Sequence, residues 1–230
     1  AFCCRVRSLV KRSLPTTDDL GACRILSAVP MSETPEIQAR SDDPAWRRVQ
    51  EALQALGFPY EAIPCDPAFA DTAAFCARYG IAPEESANTI LVASRQEPKR
   101  WAACLVLSHC RLDVNHAVRR LLGVRRLSFA SEDETRDRTG MMIGGVAPFG
   151  LPADVPLYVD ARVLAAERVV VGGGSRSWKV RLSPSCFLQM PGASVVADLA
   201  ALKQVTGDRL GGSGGQLSLA IPAPPRRTDG

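Results

Sequence analysis

Thr139-Gly140-Met141-Met142-Ile143-Gly144-Gly145-Val146-Ala147-Pro148-Phe149-Gly150 is the stretch on which the reading of this chain turns. Four glycines and a proline fall within twelve residues, yet Met141, Met142, Ile143, Val146 and Phe149 make the same segment apolar. A mobile linker so rich in glycine would be polar. Here the backbone must turn tightly, take left-handed conformations or admit a close neighbour while its side chains join a core. Two readings stand level on these residues alone: a buried turn between strands, and a loop that cradles a ligand.

Working upstream, Ser131-Glu132-Asp133-Glu134 is a capping-box pattern that opens a short helix closing at Gly140. Residues 126–130 read as a short strand. Before it, Asp113 caps a helix with an apolar stripe of Val114, Ala117, Val118, Leu121 and Leu122, ended by Gly123. Asn88 to Ser94 is β-branched and nearly continuously apolar, the pattern of a buried strand, and residues 101–108 read as its hairpin partner. A first helix starts at Asp42 or Asp43 with Pro44 in its first turn, shows Trp46, Val49, Leu53 and Leu56 on one face and stops at Gly57. Residues 60–63, between Pro59 and Pro64, fit an edge strand, and a second helix runs from about Asp71 to Tyr79, closed by Gly80.

Downstream the pattern turns to strands at residues 157–160, 168–171 and 178–182, with Gly172-Gly173-Gly174-Ser175 as a glycine-rich hairpin. Pro184 begins a short last helix, and residues 193–199 complete the fold. Helices early and a strand cluster late predict an α+β fold: one domain with a mixed, mostly antiparallel sheet and flanking helices. The expected division is an N-terminal extension over residues 1–43 without fixed structure, the domain over 44–203, and a flexible tail over 204–230, where Gly211-Gly212-Ser213-Gly214-Gly215 lies.

Composition narrows the function classes. With 46% hydrophobic and 23% charged residues the chain is ordinary globular protein, and no apolar run reaches the length of a membrane span. The net charge is +4, but residues 1–30 carry Arg5, Arg7, Lys11, Arg12 and Arg24 against Asp18 and Asp19, so the remainder is close to neutral. Nucleic-acid binding must therefore rest on local clusters such as Arg119-Arg120 with Arg125-Arg126. Cys3, Cys4, Cys23, Cys65, Cys76, Cys104, Cys110 and Cys186 form no Cys-x-x-Cys pair, and only His109 and His116 are present to join them. Zinc is poorly supported; scattered thiols of this kind read as reduced, buried small hydrophobes in a cytoplasmic protein. Residues 1–30 lack the apolar core of a secretory signal. Met31-Ser32-Glu33-Thr34 reads as an ordinary start of translation, with residues 1–30 an upstream extension.

The familiar catalytic signatures are missing from the sequence. Gly144-Gly145-Val146-Ala147-Pro148 lacks the spacing of a dinucleotide fingerprint, and there is no Gly-Lys-Ser/Thr phosphate loop or Gly-x-Ser-x-Gly elbow. His116, beside Arg119 and Arg120, reads as a solvated residue, and Glu132, Asp133, Glu134 and Asp137 with Arg136 and Arg138 as a solvated helix face. What remains is a backbone-lined pocket with few ionisable groups. It is compatible with chemistry in which oriented N–H donors stabilise an oxyanion and water or a substrate hydroxyl attacks.

In their order these motifs resemble the YbaK/ProX family, aminoacyl-tRNA deacylases related to the editing domain inserted in bacterial prolyl-tRNA synthetases. The resemblance runs over about residues 44–200. Its parts are the strand at residues 87–94, the helix at 113–123, Arg138-Thr139-Gly140, the Gly144-to-Gly150 segment as a glycine-x-x-x-proline loop, Tyr158-Val159-Asp160, and Val171-Gly172-Gly173-Gly174. It implies a mixed sheet with flanking helices and hydrolysis in trans of the ester on mischarged aminoacyl-tRNA. It also implies partnership with an aminoacyl-tRNA synthetase and no metal or organic cofactor. Asn88 and Gly144 fall at the implied catalytic centre; Thr139, Gly144, Gly145, Val146, Ala147, Pro148, Gly150, Gly172 and Gly173 fall around the substrate. Glycine at 144 and 145 would leave room for the aminoacyl group. Asn88 stands where well-studied members have lysine, and Lys99 and Lys179 are the cations available from other strands. Two functions follow: a deacylase, or a tRNA- or synthetase-binding module that has lost hydrolysis.

Overall fold

The computed structural model describes residues 42–203; the expected N-terminal extension up to residue 41 and the expected tail over 204–230 lie outside the described residues. Helix α1 (Pro44–Leu56) begins where the Asp43 carboxylate accepts the Ala45 and Trp46 N–H groups at 2.8 and 3.3 Å, and it ends on Gly57 at φ +68°. Trp46, Val49 and Leu53 bury the predicted stripe. Trp46 stacks on Trp178 with ring centroids 4.9 Å apart, fastening the helix to a strand more than a hundred residues away.

Three strands form a small antiparallel sheet in the order β1 (Tyr60–Pro64), β8 (Trp178–Leu182), β7 (Val169–Gly172). The proline-flanked strand β1 is on its edge, as its missing N–H donors require. Five strands form the larger sheet, in the order β5 (Leu127–Phe129), β2 (Ala87–Ser94), β3 (Trp101–Leu107), β6 (Leu157–Asp160), β9 (Ala193–Val196). The β2–β3 pair is the expected antiparallel hairpin, while β6 and β9 run parallel to their neighbours. A short pair, β4 (Cys110–Leu112) with β10 (Ala200–Leu202), closes one end. The buried Asp160 carboxylate seals that closure: it accepts the Ala200 N–H at 2.9 Å and pairs with Arg162, which donates to the Ala200 carbonyl at 2.8 Å.

Helix α2 (Thr72–Tyr79) starts after Asp71 and ends on Gly80, and α4 (Glu132–Thr139) carries the full Ser131/Glu134 capping box. The helix expected from Asp113 is less regular. Its first part, Val114–Val118, is a π-helical turn in which the Val118 N–H reaches the Asp113 carbonyl, and only Arg119–Leu122, α3, is α-helical. The wider turn rotates Leu121 out of the stripe, leaving it exposed while Leu122 is buried. The three strands expected after Gly150 are present, but they are divided between the two sheets. Strand β6 joins the large sheet, β7 and β8 join the small one, and the 3₁₀ turn Ala161–Ala165 lies between them. Strand type is a local property of sequence; the choice of sheet depends on which neighbour offers a free edge.

Candidate active site

The two sheets touch where Ser86 bridges to Val170 in parallel, with the Val170 N–H on the Glu85 carbonyl at 2.7 Å. Beside this contact is a cleft of about 400 Å³. Residues 86–91 of β2 and its lead-in and residues 170–172 of β7 contribute two walls; Asp71, Thr72 and Phe75 come from α2 and its cap. Phe129 and Ala130 follow from β5, Thr135 from α4, Lys179 from β8, and Ile143, Gly144 and Val146 from the glycine-rich segment. The segment that opened the sequence reading is thus both things at once, a buried turn and a cleft wall.

Glycine's role in that turn differs from the expected one. A Cβ on Gly145 would lie 2.0 Å from the Ser175 carbonyl oxygen, and one on Gly172 would lie 2.3 Å from the Val146 oxygen. Loop and β7–β8 hairpin therefore interlock backbone against backbone, with the Gly174 N–H on the Gly145 carbonyl and the Met142 N–H on the Gly174 carbonyl. The space beside Gly145 holds protein, not substrate. Gly144, at φ +87°, does line the cleft, although a Cβ there would lie 2.4 Å from the Arg176 guanidinium.

Of the residues assigned from sequence, the structure gathers Asn88, Gly144, Val146 and Gly172 on the cleft wall. Gly145 and Gly173 pack behind it, Gly173 against Trp178. Ala147 and Pro148 are buried, and the Ala147 N–H points to the Met141 sulfur. Fully buried Thr139 donates its hydroxyl to the Thr135 carbonyl and accepts the Met141 N–H, a local fastening of α4 to the loop. Gly150 sits at φ +68° against Arg48. These six therefore shape the wall from behind.

Asn88 is held by Thr72, whose hydroxyl donates to its Oδ1 at 2.7 Å. In this orientation Nδ2 is without an acceptor among the described residues. The Gly144 and Val146 N–H groups are likewise without a protein acceptor among the described residues, and the buried Thr89 hydroxyl has no partner. The residues lining the cleft thus include several with unengaged polar groups among a mostly apolar set, the Thr89 hydroxyl being sealed from solvent.

Its charge comes from Lys179. The two lysines available from sequence separate cleanly: Lys99 pairs with Glu134 on the surface, whereas Lys179 is buried at the cleft. Lys179 Nζ donates to the Gly144 carbonyl at 2.6 Å and to the Ala70 carbonyl at 2.9 Å, and lies 5.3 Å from the centre of the Phe75 ring. Burial, reinforced by the nearby Arg176 charge, holds its pKa below the usual lysine range. In Trp178-Lys179-Val180-Arg181-Leu182 the alternation marks Lys179 and Arg181 as a polar face. Arg181 meets Glu61 on the surface, while α2 and the loop cover Lys179, a tertiary fact invisible in the strand.

Arg176 completes the wall from outside. Its guanidinium meets the Asp71 carboxylate at 3.2 and 3.3 Å, the Pro67 carbonyl at 2.9 and 3.2 Å, and the Ile143 carbonyl at 3.2 Å. The Asp71 carboxyl is held below the usual carboxylate range by this hydrogen-bonded arginine. No signal in the sequence separates Arg176 from any other turn arginine. His116 is solvated beside Asp113, and Cys65, Cys104, Cys110 and Cys186 are buried free thiols. Among the described residues no group of three or more His, Cys, Asp or Glu side chains is arranged to hold a metal ion, and no helix is long and apolar enough to cross a membrane.

Residues 66–189 match the model of the aminoacyl-tRNA editing domain. Over 54 residues the chain is 39% identical to uncharacterized protein YwhH of Bacillus subtilis (strain 168), a match covering 24% of this chain and 34% of that protein. The chain thus spans about a third of the length of that curated relative. Among solved structures, hypothetical protein APE2540 superposes with a TM-score of 0.60 at 27% identity, covering 67% of this chain and 99% of that one. A candidate trans-editing enzyme for prolyl tRNA synthetase superposes at 0.58 and 28% identity, covering 67% and 96%.

Proposed function

This chain belongs to the aminoacyl-tRNA editing domain family, and from that membership we propose that it removes amino acids from mischarged tRNA by hydrolysing the ester to the terminal ribose. The observation that carries the reading is the cleft between the sheets, where a buried cation, Lys179, is bonded to the carbonyl of the one loop glycine that lines the cleft. A volume of about 400 Å³ lies within the range of small-ligand sites, roughly 300–1,000 Å³.

In this reading water adds to the ester carbonyl carbon, either directly or after the neighbouring ribose hydroxyl has taken over the acyl group and passed its proton to the ribose oxygen it releases. The carbonyl oxygen becomes an oxyanion, the bond to the ribose oxygen breaks, and that oxygen takes the proton the nucleophile loses. The products are a free amino acid and tRNA with its hydroxyl restored. The Gly144 and Val146 N–H groups and the Asn88 amide supply uncharged donors near the developing oxyanion. Lys179 fixes the Gly144 peptide and adds positive potential in a site of low dielectric, where preorganised donors act most strongly. The cleft wall at Val146, Val171 and Ile90 selects by size. Apolar walls separate side chains that differ by one methylene by only about 1–3 kcal/mol, which is why a second, hydrolytic selection is useful. The protein acts in trans on free aminoacyl-tRNA, with a synthetase as the source of its substrate.

The test is multiple-turnover deacylation across a panel of mischarged tRNAs. One chemical class of aminoacyl group is hydrolysed well above the spontaneous rate; no hydrolysis of any member with enzyme in excess would overturn the proposal. A second reading, a tRNA-binding module without turnover, is favoured by one feature. The one carboxylate on the cleft wall, Asp71, is tied to Arg176 rather than free to act as a base. Saturable tRNA binding with no turnover is its signature.

A further inference from the structure

Phe129 combines two properties rarely found in one large aromatic residue: it lines the cleft, and it is 54% exposed. The ring is not on a mobile tip. Its residue pairs with Val92 in the large sheet, and the next N–H, of Ala130, is bonded to the Leu91 carbonyl at 2.9 Å. Across the cleft the loop offers a second exposed apolar side chain, Ile143, at 45%. Leading into the same strand are Arg125 and Arg126, both exposed, with Arg126 about 10 Å from Phe129 at the rise of an extended chain. The Arg126 carbonyl accepts the Arg95 N–H at 3.1 Å, which brings a third exposed arginine alongside. Arg125 and Arg126 have no carboxylate partner among the described residues. The neighbouring acids of α4 are partly neutralised, Glu134 by Lys99 and Asp133 by Arg136.

A fixed aromatic face at a cleft mouth, continued by unpaired arginines along one strand, matches the chemistry of an unpaired nucleotide run: a base to stack and phosphates to neutralise. Resting on the functional reading above, we propose that strand β5 is the track for the single-stranded 3′ end of tRNA. Phe129 stacks on the terminal base at the cleft mouth, and Arg125 and Arg126 contact the phosphates that precede it. The edge position of β5 serves this role, because among the described residues no further strand pairs with its outer side.

The test is binding of an uncharged, fluorescent RNA oligonucleotide ending in C-C-A, read by anisotropy, with the full chain and its variants. Phe129→Ala weakens binding about 5- to 150-fold, the range of one lost base stack, and Phe129→Trp retains it within about twofold. Deleting the terminal base costs wild type the same factor and costs Phe129→Ala nothing further. The double variant Arg125→Ala/Arg126→Ala flattens the log–log salt slope by about 1.4. Unchanged melting temperatures show that the variants are folded, as expected for side chains this exposed. Equal affinities of wild type and Phe129→Ala, or an equal loss on base deletion in both, would overturn the proposal. Because no turnover is measured, failure of the deacylation panel leaves this test intact. Conversely, active deacylation with an unaltered KM in Phe129→Ala removes the β5 track and leaves the deacylase standing.

Discussion

Lys179 carries the densest set of consequences of any single side chain. Its ammonium binds two backbone carbonyls, Ala70 and Gly144, so it ties the segment leading into α2 to the glycine-rich loop as well as charging the cleft. Lys179→Met leaves both carbonyls unmatched and removes the charge. The expected outcome is a fall of about 10²- to 10³-fold in kcat/KM for deacylation, with a stability loss of about 1–3 kcal/mol for the orphaned acceptors, read by urea denaturation. Because burial holds this lysine's pKa below the usual range, its charge is lost, as pH rises, earlier than that of a solvated lysine. Activity, corrected for spontaneous ester hydrolysis, therefore declines on the alkaline side earlier than a solvated lysine would dictate. In Lys179→Arg, which keeps its proton throughout, that alkaline decline disappears from whatever activity remains. Little of this was legible in the sequence. A lysine between a tryptophan and a valine in a strand reads as solvent-facing, and only the packing of α2 and the loop over it makes it internal.

At the scale of elements, the interlock of the glycine-rich loop with the β7–β8 hairpin is the feature that holds the cleft wall. Gly145→Ala and Gly172→Ala each drive a methyl group into backbone, which has no rotamer by which to yield. Each is expected to cost about 3 kcal/mol or more, the upper end for overpacking. Gly57→Ala, with open space around its Cβ, pays only the left-handed backbone penalty of roughly 1 kcal/mol. Thermal melts of the three variants check the ranking. The sequence reading predicted glycines here for a close approach, and a close approach is present, but at Gly145 the approaching group is the Ser175 carbonyl. Elements governed by short-range chemistry were legible: the Asp43 and Ser131 caps, the glycine stops at 57, 80 and 140, and the β2–β3 hairpin. The π-helical turn at Val114–Val118 was not, since an apolar stripe of period near 3.6 does not reveal one extra residue in the turn.

For the molecule as a whole, the near-neutral charge outside residues 1–30 leaves recognition of a polyanion to a few arginines on one side. A footprint of three or four phosphates gives a salt slope of only about −2 to −3 in log kcat/KM for tRNA. That dependence is expected in KM, with kcat nearly flat, when deacylation is assayed from low to moderate salt. The mixed, mostly antiparallel α+β architecture was legible from the order of helices and strands. The division into two sheets, from which the cleft itself arises, was not, because nothing local distinguishes residues 157–160 from 169–172. The same division gives the protein an optical consequence. Trp46 and Trp178 are two of its three tryptophans, and their rings lie nearly parallel at 4.9 Å, one residue behind Lys179. Two indoles so placed share their excited states, so circular dichroism carries an exciton couplet that exists only while α1 remains docked on the small sheet. Docking of α1 against the strand that carries Lys179 is thus visible without a label.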